Sequence, residues 1–116
     1  MLSEIISNLP MDKDIETDWI SVRYNIKNGL DLSASSIQII WSEVEGSLDG
    51  YIDMMVTNNL DYQTLGGRFY VNFNSNVDDA LIIVIIPGFD YLKLKYVSNG
   101  TTKGLLTASI SYSKIW

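Results

Sequence analysis

The chain has 116 residues, of which 47% are hydrophobic and 19% are charged, and this length and composition suit a single globular domain with one core. It contains neither Cys nor His, which excludes disulfides, zinc–thiolate sites, Cys nucleophiles and every catalytic triad or metal site that depends on His. A net charge of −6 argues against a nucleic-acid surface, and no apolar run approaches the roughly 20 residues of a membrane helix, so we expect no nucleic acid and no membrane as partner.

The N-terminal residues 1–17 are predicted to form an arm and a linker ahead of the folded domain. Four apolar side chains follow the i, i+3, i+4, i+7 spacing of an amphipathic helix, namely Leu2, Ile5, Ile6 and Leu9. Pro10 would end such a helix, and residues 11–17 resemble a charged linker. Residues 1–10 carry no Lys or Arg, so a secretory signal is not expected.

From Asp18 onward, apolar and polar residues alternate between groups of turn residues, which is typical of half-buried antiparallel strands. Seven strands are predicted, at residues 20–26, 37–42, 51–57, 68–73, 81–86, 92–96 and 106–112. Asn28-Gly29 reads as a turn, and Asn99-Gly100 between alternating runs predicts a hairpin. We therefore expect an all-β domain at residues 18–116, an antiparallel β-sandwich or jelly-roll-like fold of about seven to eight strands.

The apolar phase of these strands predicts which side chains are buried. The expected core includes Ile39, Trp41, Val56, Val71, Leu94 and Ile110.

The predicted strand at residues 81–86 is apolar on both faces, whereas one face of a two-layer sandwich should contact water. The second face therefore needs a cover, which could be the N-terminal arm, a long loop or another subunit. From this strand and the amphipathic arm we predict an oligomer or docking interface formed by Leu2, Ile5, Ile6, Leu9, Ile82, Val84 and Ile86.

Several side chains with oxygen atoms are candidates for a metal site or a catalytic site. The candidate calcium ligands are Asp49, Asp53, Asn58, Asn59 and Asp61. Their spacing matches no EF-hand loop, and Asp and Asn are common in β-turns. Paired carboxylates could perform acid–base chemistry, and the available pairs are Glu43 with Glu45 and Asp78 with Asp79. No cleft motif surrounds either pair, so we expect no metal, no cofactor and no enzymatic activity.

Aromatic residues supply a second functional possibility. Trp19, Trp41 and Trp116, together with seven Tyr, could stack on sugar rings. Trp41 is in phase with Ile39 and is more simply a core residue, whereas Trp116 belongs to no predicted strand. Asn99-Gly100-Thr101 matches a glycosylation sequon, but because no secretory signal is expected, we interpret it as a hairpin turn.

A series of short motifs runs through about two-thirds of the chain. In chain order they are Ile39-Ile40-Trp41-Ser42, Gly46-Ser47-Leu48-Asp49-Gly50, Thr57-Asn58-Asn59, Tyr62, Leu65-Gly66, the run from Phe89 to Tyr96 and the run from Gly104 to Ile110. In this order, residues 37–114 resemble small virion proteins of tailed bacteriophages, of the head-decoration, head-fibre or tail-accessory type. Two positions differ from that pattern. Asn58 is followed by Asn59-Leu60, where the pattern has Asp-Gly, and Tyr62 occupies a position where the pattern has Trp.

The resemblance implies a β-sandwich without enzymatic activity that oligomerises on the virion, with capsid or tail subunits as partners. The alternative left open by the aromatic residues is a carbohydrate- or receptor-binding β-sandwich module.

Overall fold

The computed structural model describes residues 2–26, 30–72, 76–85 and 88–114, and within these ranges the chain is all-β. The ten strands are β1 (Leu2–Pro10), β2 (Ile15–Glu16), β3 (Ile20–Ser21), β4 (Arg23–Ile26), β5 (Leu30–Glu45), β6 (Gly50–Thr57), β7 (Thr64–Tyr70), β8 (Asp79–Val84), β9 (Tyr91–Ser98) and β10 (Lys103–Lys114). The predicted all-β class is confirmed, and each predicted strand overlaps an observed one. The described part contains no helix that could cross a membrane.

The strands form two antiparallel sheets. In sheet A, β1 pairs with β10, β10 pairs with β5, and the long β5 pairs along its other side first with β4 and then with β8. In sheet B, β2 and β3 pair with successive parts of β9, β9 pairs with β6, and β6 pairs with β7. In sheet A, β1 therefore forms one edge, and β4 and β8 together form the other. In sheet B, β2 and β3 together form one edge, and β7 forms the other.

The core lies between the sheets because alternate side chains of each strand point inward. Sheet A contributes Ile37, Ile39, Trp41, Leu106, Ala108 and Ile110, and sheet B contributes Ile52, Leu92, Leu94 and Tyr96. Of the six side chains predicted to be buried, five are buried and Val56 is partly buried against the core.

The helical interpretation of the N-terminus is wrong, because residues 2–10 form the edge strand β1. The pairing of β1 with β10 is irregular between Glu4 and Ile6 and again between Ile6 and Leu9, and Asn8 has a φ of 47°. These irregularities break the period of two, so the apolar residues of a strand acquired a helix-like spacing. Beyond β1, Met11 is fully buried and β2 joins sheet B, so the predicted linker also packs into the fold.

The turn at Asn99-Gly100 is present, and Gly100 adopts a φ of 99°. It does not close a hairpin, because β9 belongs to sheet B and β10 to sheet A. The turn instead carries the chain from one sheet to the other. The second predicted turn residue pair, Asn28-Gly29, lies outside the described residues.

Candidate functional site

The outer face of sheet A carries an uncharged patch near β8. Alternation along β8 turns Ile83 into the core and leaves Ile82 63% and Val84 73% exposed. On β5, Gln38 lies opposite Ile82 and Ser36 lies opposite Val84. Ile40, opposite Ala80, adds a third exposed aliphatic side chain. We call Ile40, Ile82 and Val84 the sheet A patch.

The strand that carries this patch is also a sheet edge. Within the described residues, β8 pairs with β5 on one side and with no strand on the other. Lys and Pro are the residues that commonly protect such edges from pairing with another chain, and β8 contains neither. Its unpaired backbone groups and its exposed aliphatic side chains are therefore accessible together.

The other predicted interface residues are not gathered at this patch. On β1, Leu2 and Leu9 are 70% and 41% exposed, Ile5 is half-buried, and Ile6 belongs to the chain's own core. In register, Leu2 is separated from Val84 by Ser111 and Ser36, a distance of about 14 Å at ~4.8 Å per strand. Thus β1 and β8 lie on opposite sides of sheet A. Ile86 lies outside the described residues.

The outer face of sheet B carries a different group of side chains, which we call the sheet B cluster: Tyr51, Asp53, Arg68 and Tyr70. Arg68 donates two hydrogen bonds to the Asp53 carboxylate, from Nε at 2.7 Å and from Nη2 at 3.0 Å. Its guanidinium group also lies 4.1 Å from the centre of the Tyr51 ring. Tyr70 meets Tyr51 edge-on at 5.9 Å between ring centres and is itself 55% exposed.

The electrostatics of the cluster keep Arg68 charged. The hydrogen bonds to Asp53 are the main reason that the pKa of Arg68 is raised above its already high ordinary value, and the nearby Tyr51 and Tyr70 hydroxyls act in the same direction. Asp53 is buried, so the paired carboxylate and guanidinium groups form a fixed arrangement and not a mobile surface pair.

Further along the same face, Lys93 lies 4.7 Å from the Trp19 ring centre and 2.7 Å from a carboxylate oxygen of Glu16. The hydrogen bond from Lys93 lowers the pKa of Glu16. Between this pair and the sheet B cluster lies the exposed Lys95, which is in register with Asp53 on β6 and with Glu16 on β2. Lys95 makes no ion pair with the part of the chain that the structure describes.

Three of the five candidate calcium ligands accept hydrogen bonds within the fold. Asp53 binds Arg68, Asn58 Oδ1 accepts a 2.9 Å hydrogen bond from the Asp90 amide, and Asn59 Oδ1 accepts one of 3.0 Å from the Asp61 amide. Across residues 2–26, 30–72, 76–85 and 88–114, no three acidic side chains come together in a group that could hold a metal ion.

One carboxylate of each candidate pair, Glu45 in the first and Asp78 in the second, makes a structural contact. Asp78 accepts hydrogen bonds from the backbone amides of Glu43 at 3.2 Å and Val44 at 2.9 Å, where Glu43 has a φ of 53°. Glu45 forms an ion pair with Lys103 at 3.2 Å. Through these hydrogen bonds, Asp78 links the irregular end of β5 to the segment that precedes β8.

Among the cavities that open on the sandwich, two have volumes of about 400 Å³. One of about 420 Å³ is lined by residues of β7 and β8 and by Trp41, and the other, of about 400 Å³, is lined by residues around Val22, Ser35 and Ile85. Among the described residues, the first lining contains the carboxylate of Asp79 and the second that of Asp90.

The three tryptophans have different settings. Trp41 is a core residue, as predicted, and its Nε1 donates a 3.2 Å hydrogen bond to the Val77 carbonyl. Trp19 is half-buried beside Lys93, and Trp116 lies outside the described residues. The exposed aromatic surface is thus formed mainly by tyrosines. Their outward strand phase was visible in the sequence, but the cross-strand register that assembles them was not.

No protein-family model matches this chain, and neither a curated protein nor a solved structure matches it. The fold defines an antiparallel two-sheet β-sandwich. The uncharged sheet A patch and the sheet B cluster, on opposite outer faces of the sandwich, are the features that point to a function.

Proposed function

We propose that this chain is a non-enzymatic structural protein of a tailed-phage virion, an auxiliary, decoration or fibre-anchoring subunit on the capsid or tail. The resemblance of residues 37–114 to small virion proteins supports the virion role. The single observation that carries the assembly role is the exposure of Ile82 and Val84 on an edge strand.

The occupant proposed for this edge is a second copy of the chain. Two β8 strands can pair antiparallel about a twofold axis, which gives the unpaired backbone groups partners and extends sheet A across two subunits. A net charge of −6 makes copies repel one another in general. The sheet A patch and its neighbours Ser36 and Gln38 are uncharged, so contact at this place brings no like charges together.

The expected strength is moderate. Full burial of an aliphatic side chain contributes about 1.5–3 kcal/mol, and edge-to-edge pairing covers Ile82 and Val84 of each copy in part, because both point to the outer face of the extended sheet. Association costs about 4–15 kcal/mol in lost freedom, which is of the same order. The apolar contribution does not exceed this cost by itself, so a dimer in the micromolar range also requires the backbone hydrogen bonds between the two β8 strands, and the high local concentration on a particle would favour it further.

Sedimentation velocity from 1 to 100 µM tests this association. The wild-type chain should shift from monomer toward dimer, and Val84→Lys should remain monomeric because a lysine on an edge strand opposes its pairing with another chain. Leu60→Lys, at a 51% exposed apolar position away from sheet A, is the matched control and should dimerise normally. A wild-type monomer throughout, or a Val84→Lys variant that still dimerises, would contradict this assembly.

The virion role has its own test. Particles purified from the source of this sequence should contain the chain in many copies, and a cryo-EM reconstruction should locate it on the head or tail. Particles without the chain would remove the virion role and leave the dimer unaffected.

A further inference from the structure

The outer face of sheet B lies on the opposite side of the sandwich from the sheet A patch, and the proposed assembly makes no use of it. It combines an exposed aromatic ring, Tyr70, with a guanidinium group whose position is fixed by Asp53. Arg68 bonds to Asp53 through Nε and Nη2, and the Tyr70 hydroxyl lies within hydrogen-bonding reach of the same guanidinium group. Because these groups are already held in place, ordering them costs a ligand little free energy.

The three cations of this face, Arg68, Lys93 and Lys95, differ in their partners. Arg68 and Lys93 each form an ion pair with a carboxylate, and Lys95 forms none with the described residues. Two further carboxylates lie beside the paired cations, Asp61 near Lys93 and Asp79 near Arg68, so the face as a whole carries no positive surplus. The ammonium group of Lys95 is therefore the place on this face where a ligand carboxylate finds a cation that is not already in an ion pair.

The arrangement suits a carbohydrate better than a protein partner. The apolar face of a sugar ring stacks on an exposed aromatic side chain, and its hydroxyl groups pair with fixed hydrogen-bond donors. The group from Tyr70 to Lys95 spans the strands β7, β6 and β9, which is about 10 Å at ~4.8 Å per strand. This is the scale of a short oligosaccharide, whereas a stable protein interface covers about 800 Å² on each partner.

We propose that the outer face of sheet B binds a carbohydrate that bears a carboxylate, such as an oligosaccharide of uronic acids. Tyr70 stacks on the apolar face of one sugar ring, Arg68 donates hydrogen bonds to ring hydroxyls, and Lys95 pairs with the sugar carboxylate. Binding is non-covalent and involves no reaction.

Isothermal titration calorimetry with tetragalacturonate, and with its fully methyl-esterified form, tests the proposal on the full chain. The acid should bind, and the ester should bind at least tenfold more weakly because it has lost the charge that Lys95 recognises. Tyr70→Ala should weaken binding of both sugars at least tenfold. Lys95→Gln should lower the affinity for the acid to that for the ester and leave the ester unchanged.

Tyr62→Ala is the matched control, because Tyr62 is 74% exposed but lies outside the sheet B cluster, and it should bind like the wild type. Val84→Lys should also bind normally, which separates this proposal from the assembly role. Circular dichroism verifies that each variant is folded.

Three results would overturn the proposal. The first is no binding of either sugar at millimolar concentration. The second is equal affinity for the acid and the ester, together with an unchanged affinity of Lys95→Gln for the acid, which would show that the sugar carboxylate is not recognised. The third is binding of poly-glutamate, blocked by Tyr70→Ala, in the absence of tetragalacturonate binding, which would assign the face to an acidic protein.

Discussion

The Tyr96 hydroxyl donates a 2.9 Å hydrogen bond to the Met11 carbonyl, across 85 residues of chain and in the buried core. Tyr96 lies in β9 of sheet B, whereas Met11 follows directly after β1 of sheet A. The same hydroxyl lies 2.9 Å from Thr101 Oγ1, which donates to the Asp49 carbonyl at 2.6 Å. One side chain therefore holds the chain segments that pass between the two sheets.

Tyr96→Phe should lower the free energy of unfolding by about 1–3 kcal/mol, because it leaves the buried Met11 carbonyl without this donor. Urea denaturation at neutral pH measures the change. Tyr62→Phe, which removes the hydroxyl of an exposed tyrosine, should stay within about 0.5 kcal/mol of the wild type. Equal effects of the two substitutions would show that the Tyr96 bond does not stabilise the fold.

Stability should also fall at alkaline pH through Tyr96. Burial raises the pKa of its hydroxyl above the ordinary value of about 10. As the pH rises past 10, the unfolded chain loses this proton before the folded chain does, so this contribution is complete below pH 10 and is lost as the pH approaches the folded pKa. Unfolding measured at pH 8 and pH 11 should show a smaller decrease for Tyr96→Phe than for Tyr62→Phe, and equal decreases would refute the assignment.

The Arg68–Asp53 pair should behave as a coupled unit. Arg68→Met leaves a buried carboxylate without its partner and should destabilise the chain by about 1–3 kcal/mol. The double variant Arg68→Met/Asp53→Leu removes that unpaired charge and should be less destabilised than Arg68→Met alone. Chemical denaturation of the two single variants and the double variant gives the coupling energy. Additive effects would indicate that the pair contributes nothing as a pair.

Period-two alternation predicted strands well because each strand places one face against the core, and that constraint is local. It located Ile39 and Ile110 in the core and showed that residues 81–86 are apolar on both faces. The exposure of Ile82 and Val84 follows from that same pattern.

What the sequence could not provide is the choice of strand partners. Turn chemistry at Asn99-Gly100 sets a backbone angle at Gly100, but it does not determine that β9 and β10 enter different sheets. Likewise, the register that places Arg68 opposite Asp53 depends on the pairing of β6 with β7. Side chains 15 positions apart become neighbours only through this register, so the sheet B cluster could not be predicted from spacing.

Gly50 is a position where any side chain should be harmful. Its φ is 153°, and a Cβ atom built there would lie 2.4 Å from the Val97 carbonyl oxygen, which belongs to the neighbouring strand β9. Gly50→Ala should therefore lower the free energy of unfolding by at least about 1–3 kcal/mol. Gly100, with a φ of 99° and open space around its Cβ position, is the matched control. Gly100→Ala carries only the backbone strain, so thermal or urea unfolding that showed it to be the more damaging substitution would contradict this account.

The adjacent residues Ile82 and Ile83 allow a pair of alanine substitutions to separate the effect on folding from the effect on assembly. Ile83 is 6% exposed and faces the core, whereas Ile82 is 63% exposed and faces outward. Ile83→Ala should cost about 2–5 kcal/mol of stability, because it leaves a cavity between the sheets. Ile82→Ala should change the stability of the monomer by no more than about 0.5 kcal/mol, since its side chain contacts mainly solvent.

Self-association should show the reverse order. Ile82→Ala removes apolar surface from the proposed interface and should raise the dimer dissociation constant several-fold in sedimentation experiments. Ile83→Ala, studied at a temperature where it remains folded, should dimerise like the wild type because its side chain does not reach the interface. Should both variants lose stability and dimerise equally, β8 would be an ordinary core strand, and the second copy would have to bind elsewhere.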